Sequence, residues 1–269
     1  MLSAWLRRLD ARRERAALAR RVIPEDLWKR TLVRYPFLRR RSVEDGQALR
    51  RLTSLFLDRK EFTAGGGLKL TDAVVVAIAA QAVLPVLRLG LARYDGFVGI
   101  VVHPGQVLAR REVTGEDGLV HEYDEVLAGE AMEGGPVMLS WQDVRAAGPM
   151  AAQGYNVVIH EFAHVLDMAD GRSDGVPLLP AEMSRSQWQH TLHEEFMVLQ
   201  AQVDRTAEGG LVPALDAYGA EGEDEFFAVA SEAFFTSPNL LQLAHPALYA
   251  LFRRFYRQDP AEETAPPRG

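Results

Sequence analysis

Cysteine is absent from the 269 residues. No disulfide can form, and any bound metal must be held through nitrogen and oxygen ligands. Long apolar runs are missing too. The most apolar stretch, Ala73 to Leu87 in "DAVVVAIAAQAVLPVLR", would span about 22 Å as a helix, short of the roughly 30 Å hydrocarbon core of a bilayer. It reads as a buried helix that Pro85 bends or ends. Positive charge is not in excess: 30 Lys and Arg face 37 Asp and Glu, for a net charge of -7. A nucleic-acid phosphate backbone is therefore not expected as a direct partner. The triple glycine of "TAGGGLKLTD" lacks the Gly-Lys-Ser/Thr ending of a phosphate loop. It is expected to be a flexible turn, after which Thr71 or Asp72 caps the apolar helix. The N-terminal "MLSAWLRRLDARRERAALARR" has no uninterrupted apolar core of a secretory signal, and Asp10 and Glu14 do not suit a transit peptide. A cytoplasmic protein with no membrane partner is the expectation. No internal repeat is visible.

The residues present are those of a soluble globular chain, 48% hydrophobic and 25% charged. The length suits one compact domain with an appendage. Residues 1–60 read as helical, with Arg-rich faces taken as solvated. Between about 97 and 141 the pattern changes to short β-branched runs, "FVGIVVHPG", "LVHEYDEVL" and "GGPVMLSW". Helices return from about 150. The closing "PAEETAPPRG" is polar and Pro-rich and is expected to be disordered. Strands bracketed by helix blocks, without regular βαβ alternation, indicate an α+β fold.

The stretch "NVVIHEFAHVLDMADG", residues 156–171, carries the chemistry. On a helix His160 and His164 lie one turn apart on one face, so their rings can be directed at a single point. Glu161 is rotated away from that pair and can instead bond a metal-bound water and take its proton. Chance yields roughly 0.014 occurrences of H-E-x-x-H in a chain of this composition. The neighbours Val157, Val158, Ile159, Phe162, Ala163, Val165 and Leu166 make the helix buried nearly all round, where unpaired histidines are costly.

A catalytic zinc site usually takes three protein ligands. Position 170, where one branch of zinc peptidases has its third histidine, is Asp170. The other branch draws a glutamate from a later helix, and "EDEFFAVASEAFF" supplies two candidates. Glu225 and Glu232 are two turns apart on one face, so either can be the ligand and the other its support. Asp167 shares the face of the two histidines and can orient one of them. His190 and His193 read as exposed, and His103 and His245, each before proline, as turn residues. His121, alternating in "GLVHEYDEV", reads as a solvent-facing strand residue, yet it is the one spare imidazole able to reach a site across a sheet edge.

"NVVIHEFAHVLDM", "GVPLLP", "DAYGAEGEDEFFAVASEAFF" and "FYRQDP", with "YPFL", "GLKLTD", "IAAQAVLPVLRLGL" and "GGPVMLSW", resemble the Mlc titration factor A family of zinc metallopeptidases from about residue 24 to 260. The resemblance implies a single zincin-like domain over 24–260, of the gluzincin type and similar to the anthrax lethal factor catalytic domain, with a small sheet, an active-site helix and a helical C-terminal part. It implies one zinc ion per chain, aminopeptidase activity on short peptides, a cytoplasmic location, and binding of the glucose repressor Mlc. By the same resemblance His160, His164 and Glu225 are metal ligands, Glu161 the catalytic base, and Glu232 a supporting residue. His121 matches a position counted with the metal ligands; as a fourth protein ligand it would mask the site. Tyr218 matches a tyrosine that points at the metal, where its phenol can donate to an oxyanion. The Arg-rich residues 1–23 match nothing in that likeness and stand as a separate helical segment, with 261–269 as a disordered tail. A peptidase is the first reading; a regulatory binding module with a masked or structural zinc is the second.

Overall fold

A computed structural model describes residues 2–114 and 120–264, with side chains over 11–108 and 127–262. Three helices come first: α1 (Leu2–Arg20), α2 (Glu25–Arg34) and α3 (Val43–Arg59). Ser42 caps α3 by accepting from Asp45 N, one of the donors a helix start leaves unsatisfied. The first helix lies along the third, and Arg51 pairs with Glu14 while Arg20 pairs with Asp58 at 2.9 Å. The Arg-rich face is thus partly spent in contacts within the N-terminal layer. Each exposed pair contributes little by itself, so the apolar residues Ala17, Leu52 and Leu55 between these helices carry the packing.

Strand β1 (Glu61–Ala64) follows α3 directly, and α4 (Asp72–Ala82) follows the glycine turn. Thr71 stands at the cap position of α4, though its side chain makes no capping bond. Helix α4 is buried from Val76 to Ala82 and ends there, three residues before Pro85. Proline has no N–H to continue the ladder and restricts the residue before it. The rest of the apolar run, Val83 to Leu87, stays buried as turns.

The middle of the chain supplies β2 (Gly99–His103), β3 (Val107–Thr114), β4 (Val120–Leu127), β5 (Gly129–Ala131) and β6 (Val137–Ser140). They form a four-stranded sheet of order β1-β2-β6-β5 and a separate two-stranded β3-β4 sheet. The pairs β1-β2 and β2-β6 are parallel, whereas β5 runs antiparallel to β6, with Gly129 opposite Leu139. Strand β2 alternates, its Ile100 and Val102 buried, as a period of two demands. The short β5 is left at the sheet edge.

The remaining helices are α5 (Trp141–Met150), α6 (Val157–Asp167), α7 (Arg185–Ala207), α8 (Glu223–Thr236), α9 (Pro238–Ala244), α10 (Pro246–Tyr256) and α11 (Pro260–Thr264). Helix α6 crosses the centre of the molecule. On one side Phe162 packs edge-on against Phe56, Tyr94 and Phe97; on another α6 packs against α8. Trp188, Phe227, Phe252 and Phe255 form a second aromatic cluster that fixes α8 on α7 and α10. The α+β architecture matches the expectation: a small sheet, a helix bearing the H-E-x-x-H residues, and a helical C-terminal part.

Two local expectations fail. The segment 61–64 is strand, where the end of the helical stretch and the start of a flexible turn were expected, because Glu61 N bonds Val98 O and the strand pairs with β2. Disorder was expected from 261, but Ala261 is buried and its N–H donates to Tyr249 Oη at 3.0 Å, so α11 forms. His245, expected as a turn residue, does lie between α9 and α10, but it is fully buried there and its Nδ1–H donates to Glu195 Oε2 at 2.7 Å. No described helix is long and apolar enough to cross a membrane.

Candidate metal centre

Helix α6 begins at Asn156, whose Oδ1 accepts from Ile159 N at 3.0 Å. Asn156 is itself wholly buried and tied on two further sides. Its Nδ2 donates to Gln81 Oε1 of α4 at 2.9 Å, and its backbone N–H donates to Glu232 Oε2 of α8. The start of the helix is therefore held in register with both neighbours. Helix α8 starts with Glu223, Asp224 and Glu225 in its first turn, where the positive end of the helix dipole favours carboxylates.

These placements bring His160, His164 and Glu225 together. Their ligand atoms all lie within 4.8 Å of one another, the one such His/Asp/Glu group among the described residues. The facing atoms are closer still: His160 Nε2 lies 3.2 Å from His164 Nε2 and 3.1 Å from Glu225 Oε2, and His164 Nε2 lies 3.4 Å from that oxygen. Three corners of a tetrahedron around an ion with bonds of about 2.0–2.1 Å would be roughly 3.3–3.4 Å apart. Glu225 Oε2 is also a buried oxygen with no aligned donor, a state that costs free energy unless something else coordinates it. The donor set therefore fits a small N/O-liganded cation.

Glu232 occupies the opposite side of His160. Its Oε1 accepts from His160 Nδ1 at 2.8 Å, which in the neutral ring that a metal ion requires leaves the Nε2 lone pair turned toward His164 and Glu225. The two glutamates that spacing alone left equivalent are thus separated by position. Asp167 does not reach a histidine; its Oδ2 accepts from Gly175 N at 2.9 Å and holds the loop after α6. His190 and His193 are exposed, as expected. His121 lies on β4 opposite Val113, and its side chain lies outside the described residues.

Glu161 is 5% exposed, and no hydrogen bond to its carboxylate is formed among the described residues. Burial pushes its pKa up to about 7, against the lowering effect of His160 and His164. For His160, burial alone would lower the pKa, but the adjacent Glu225 and Glu232 carboxylates win and hold it well above the usual imidazole range. Glu225 is shifted the other way: burial is outweighed by the two histidines, which keep it ionised. A residue not singled out by any motif also shapes the site. A Cβ on Gly129 would come within 2.4 Å of Glu161 Oε1, so a larger residue there would push the Glu161 carboxylate out of its present position against edge strand β5.

Tyr218 sits in a 3-10 turn, Ala217–Ala220, fixed by Asp216 Oδ1 accepting from Tyr218 N at 3.0 Å. It is 40% exposed, and its ring centroid is 5.9 Å from that of His160. Two recesses meet at His160, Glu161, Tyr218 and Gly129. One, of about 220 Å³, is walled largely by apolar side chains including Leu127, Val157, Leu215, Val229 and Ala233. The other, of about 240 Å³, lies on the His164 and Glu225 side and is lined by Glu130, Ser173 and Asp224.

An α+β scaffold that directs two histidines of an H-E-x-x-H helix and a glutamate of a later helix at one point is an arrangement of metallopeptidases. The sequence model of the glucose-regulated metallo-peptidase M90 family matches residues 8–257, and the chain belongs to that family. The match begins within α1, so it takes in most of the Arg-rich segment. Relatives named Mlc titration factor A include that of Pectobacterium atrosepticum, 38% identical over 226 residues, covering 84% of this chain and 83% of the relative. That of Klebsiella pneumoniae is 37% identical over 234 residues, covering 87% and 86%. That of Yersinia pestis is 38% identical over 226 residues, covering 84% and 82%. Membership makes the protein a metallopeptidase by family, and the His160, His164 and Glu225 group is where the implied metal ion fits.

Proposed function

We propose that the protein is a zinc-dependent aminopeptidase acting on short peptides, with one zinc ion per chain held by His160, His164 and Glu225. The observation that carries this reading is the 3.1–3.4 Å triangle of facing ligand atoms, with a buried Glu161 beside it whose carboxylate has no hydrogen bond among the described residues. Zinc in such a set supplies Lewis acidity toward a carbonyl and lowers the pKa of water. Glu161 takes the proton of the attacking water on a carboxylate oxygen and returns it to the leaving amine nitrogen. Gly129 lets edge strand β5 approach that carboxylate closely. Glu232 holds His160 in the tautomer protonated at Nδ1, and Tyr218 donates its phenolic proton to the carbonyl oxygen as negative charge builds there. Glu130 and Asp224 in the polar recess give an aminopeptidase somewhere to neutralise the free α-ammonium group of its substrate.

The test is Glu161→Gln in the zinc-loaded protein. Zinc content stays at one per chain, while hydrolysis of alanine amides falls about 10³-fold. A variant that turns over at the wild-type rate would remove Glu161 from its role, and wild-type protein that holds no zinc would end the reading.

The name of the relatives, Mlc titration factor A, favours a second role beside the first: binding of the repressor Mlc in the cytoplasm, with the zinc site masked by His121 or purely structural. Full zinc occupancy, no hydrolysis of any unblocked peptide, and tight binding of Mlc would together replace the peptidase reading with this one. Zinc affinity that drops in His121→Ala would place that imidazole on the ion.

A further inference from the structure

The two recesses differ in chemistry, and that difference gives the substrate a direction. An aminopeptidase has one residue before the scissile bond, so its free ammonium group must sit within one residue's length of the reacting carbonyl. Of the two flanks, the one lined by Glu130 and Asp224 can neutralise an ammonium; the other is walled mainly by aliphatic side chains. Of the two carboxylates that only this second flank has, Glu232 already accepts on both oxygens, from His160 and Asn156, while Asp216 Oδ1 accepts from Tyr218 N, so an ammonium there would be poorly paired against hydrocarbon. The chain after the scissile bond must then leave through the opposite flank. That flank is the apolar recess, a concave space of about 220 Å³ that shares His160, Glu161 and Tyr218 with the polar one. An apolar cavity of about 150 Å³ suffices to hold a benzene molecule, so there is room for a leucine, methionine or phenylalanine side chain. Its floor is built from α8, where Val229 and Ala233 are almost wholly buried, and its outer wall from Ala214 and Leu215.

We infer that the apolar recess receives the side chain of the second residue of the substrate, so that the protein cleaves between an N-terminal residue and an apolar one. This rests on the aminopeptidase reading. Selection arises because filling the recess with hydrocarbon is favourable, whereas a charged second side chain would lose its hydration there. Ala233 and Ala214 then determine how large a side chain is accepted.

The experiment is a panel of alanyl dipeptide amides with Leu, Phe, Gly, Asp or Lys in second place, hydrolysed by the zinc-loaded full-length protein. The kcat/KM for Ala-Leu and Ala-Phe should exceed that for Ala-Gly by at least ~10-fold, and the Asp and Lys amides should be poorer still. Ala233→Leu narrows the recess from α8, and Ala214→Phe narrows it from a loop position that tolerates bulk; each should lower the Ala-Phe to Ala-Gly ratio at least tenfold. Binding of Ala-Phe amide and Ala-Gly amide to zinc-loaded Glu161→Gln, measured by calorimetry, reads the recess without hydrolysis and should show the same order. Equal rates and equal binding across the panel, or a preference for a charged second residue, would overturn the inference. Faster cleavage of N-acetylated than of unblocked substrates would overturn the direction. Failure to hydrolyse any amide while Ala-Phe amide still binds more tightly would instead overturn the aminopeptidase reading and leave the recess as an apolar binding site.

Discussion

Helices α4 and α6 are both 11 residues long, apolar on nearly every side and buried in the same core. Each carries polar groups into that core, and the way those groups are satisfied separates the two. In α4 the buried polar residue is Gln81, whose Nε2 donates to Ala77 O and whose Oε1 accepts from Asn156 Nδ2. Nothing is left for a ligand. In α6 the carboxylate of Glu161 has no hydrogen bond among the described residues, and the ring Nε2 atoms of His160 and His164 face each other across 3.2 Å. The neighbouring Glu225 adds a buried oxygen with no aligned donor. A buried polar group left unsatisfied costs about 1–3 kcal/mol, so several of them converging on one point mark a place completed by something other than protein. The comparison teaches that burial and polarity together do not identify a site; unsatisfied, convergent polarity does.

The largest effect should come from removing the convergence. Glu225→Ala deletes one of three ligand atoms, and metal analysis after dialysis should fall from about one ion per chain to nearly none. The thermal midpoint gives a second readout. A ligand at about 100 times its Kd stabilises the folded state by about 2.7 kcal/mol, so EDTA should lower the Tm of the wild type and leave that of Glu225→Ala unmoved. Retention of a stoichiometric ion by the variant would show that Glu225 is not a ligand.

A smaller effect is expected from Glu232→Gln. The carboxylate accepts on both oxygens, from His160 Nδ1 and from the Asn156 backbone N–H. An amide has one acceptor oxygen and an NH₂ that meets a donor on the other side. The histidine loses its orientation or the helix start loses its tie, and zinc affinity should weaken about 10- to 100-fold while the fold stays intact. An unchanged dissociation constant in a competition titration with a chromophoric chelator would sever Glu232 from the site.

Much of this contrast was legible in the sequence, because both helices are local. The i, i+4 spacing of His160 and His164 follows from helix geometry alone, and the apolar neighbours announce burial. What was not legible depended on how distant segments meet. Glu225 and Glu232 lie on one face of α8 by spacing, and only the packing of α8 on α6 turns the first toward the histidine pair and the second toward His160 Nδ1. His245 precedes a proline, as turn residues often do, yet its partner Glu195 lies 50 residues earlier on α7. Strand β1 is four residues with no buried side chain, so no alternation marks it, and its partner β2 is supplied from across α4. The apolar recess has no motif at all, since its walls come from the end of β4, the start of α6, the turn before α8 and α8 itself. Gly129 could be read as a requirement only once Glu161 was seen against it.

The control that sharpens the comparison is Gln81→Leu in α4. Leucine fills a similar volume and removes both of the amide's bonds, so Asn156 Nδ2 loses its buried acceptor while Asn156 Oδ1 keeps capping α6. The expected cost is that of one buried donor left unsatisfied, about 1–3 kcal/mol, seen as a Tm lower by several degrees. Zinc affinity should change less than threefold, because neither the ligand atoms nor the bond between Glu232 and His160 involves Gln81. If Gln81→Leu weakened zinc binding as much as Glu232→Gln, the hydrogen bonds running from α4 through Asn156 to Glu232 would belong to the metal site, and the division between a structural and a chemical helix would move from between α4 and α6 to the far side of α4.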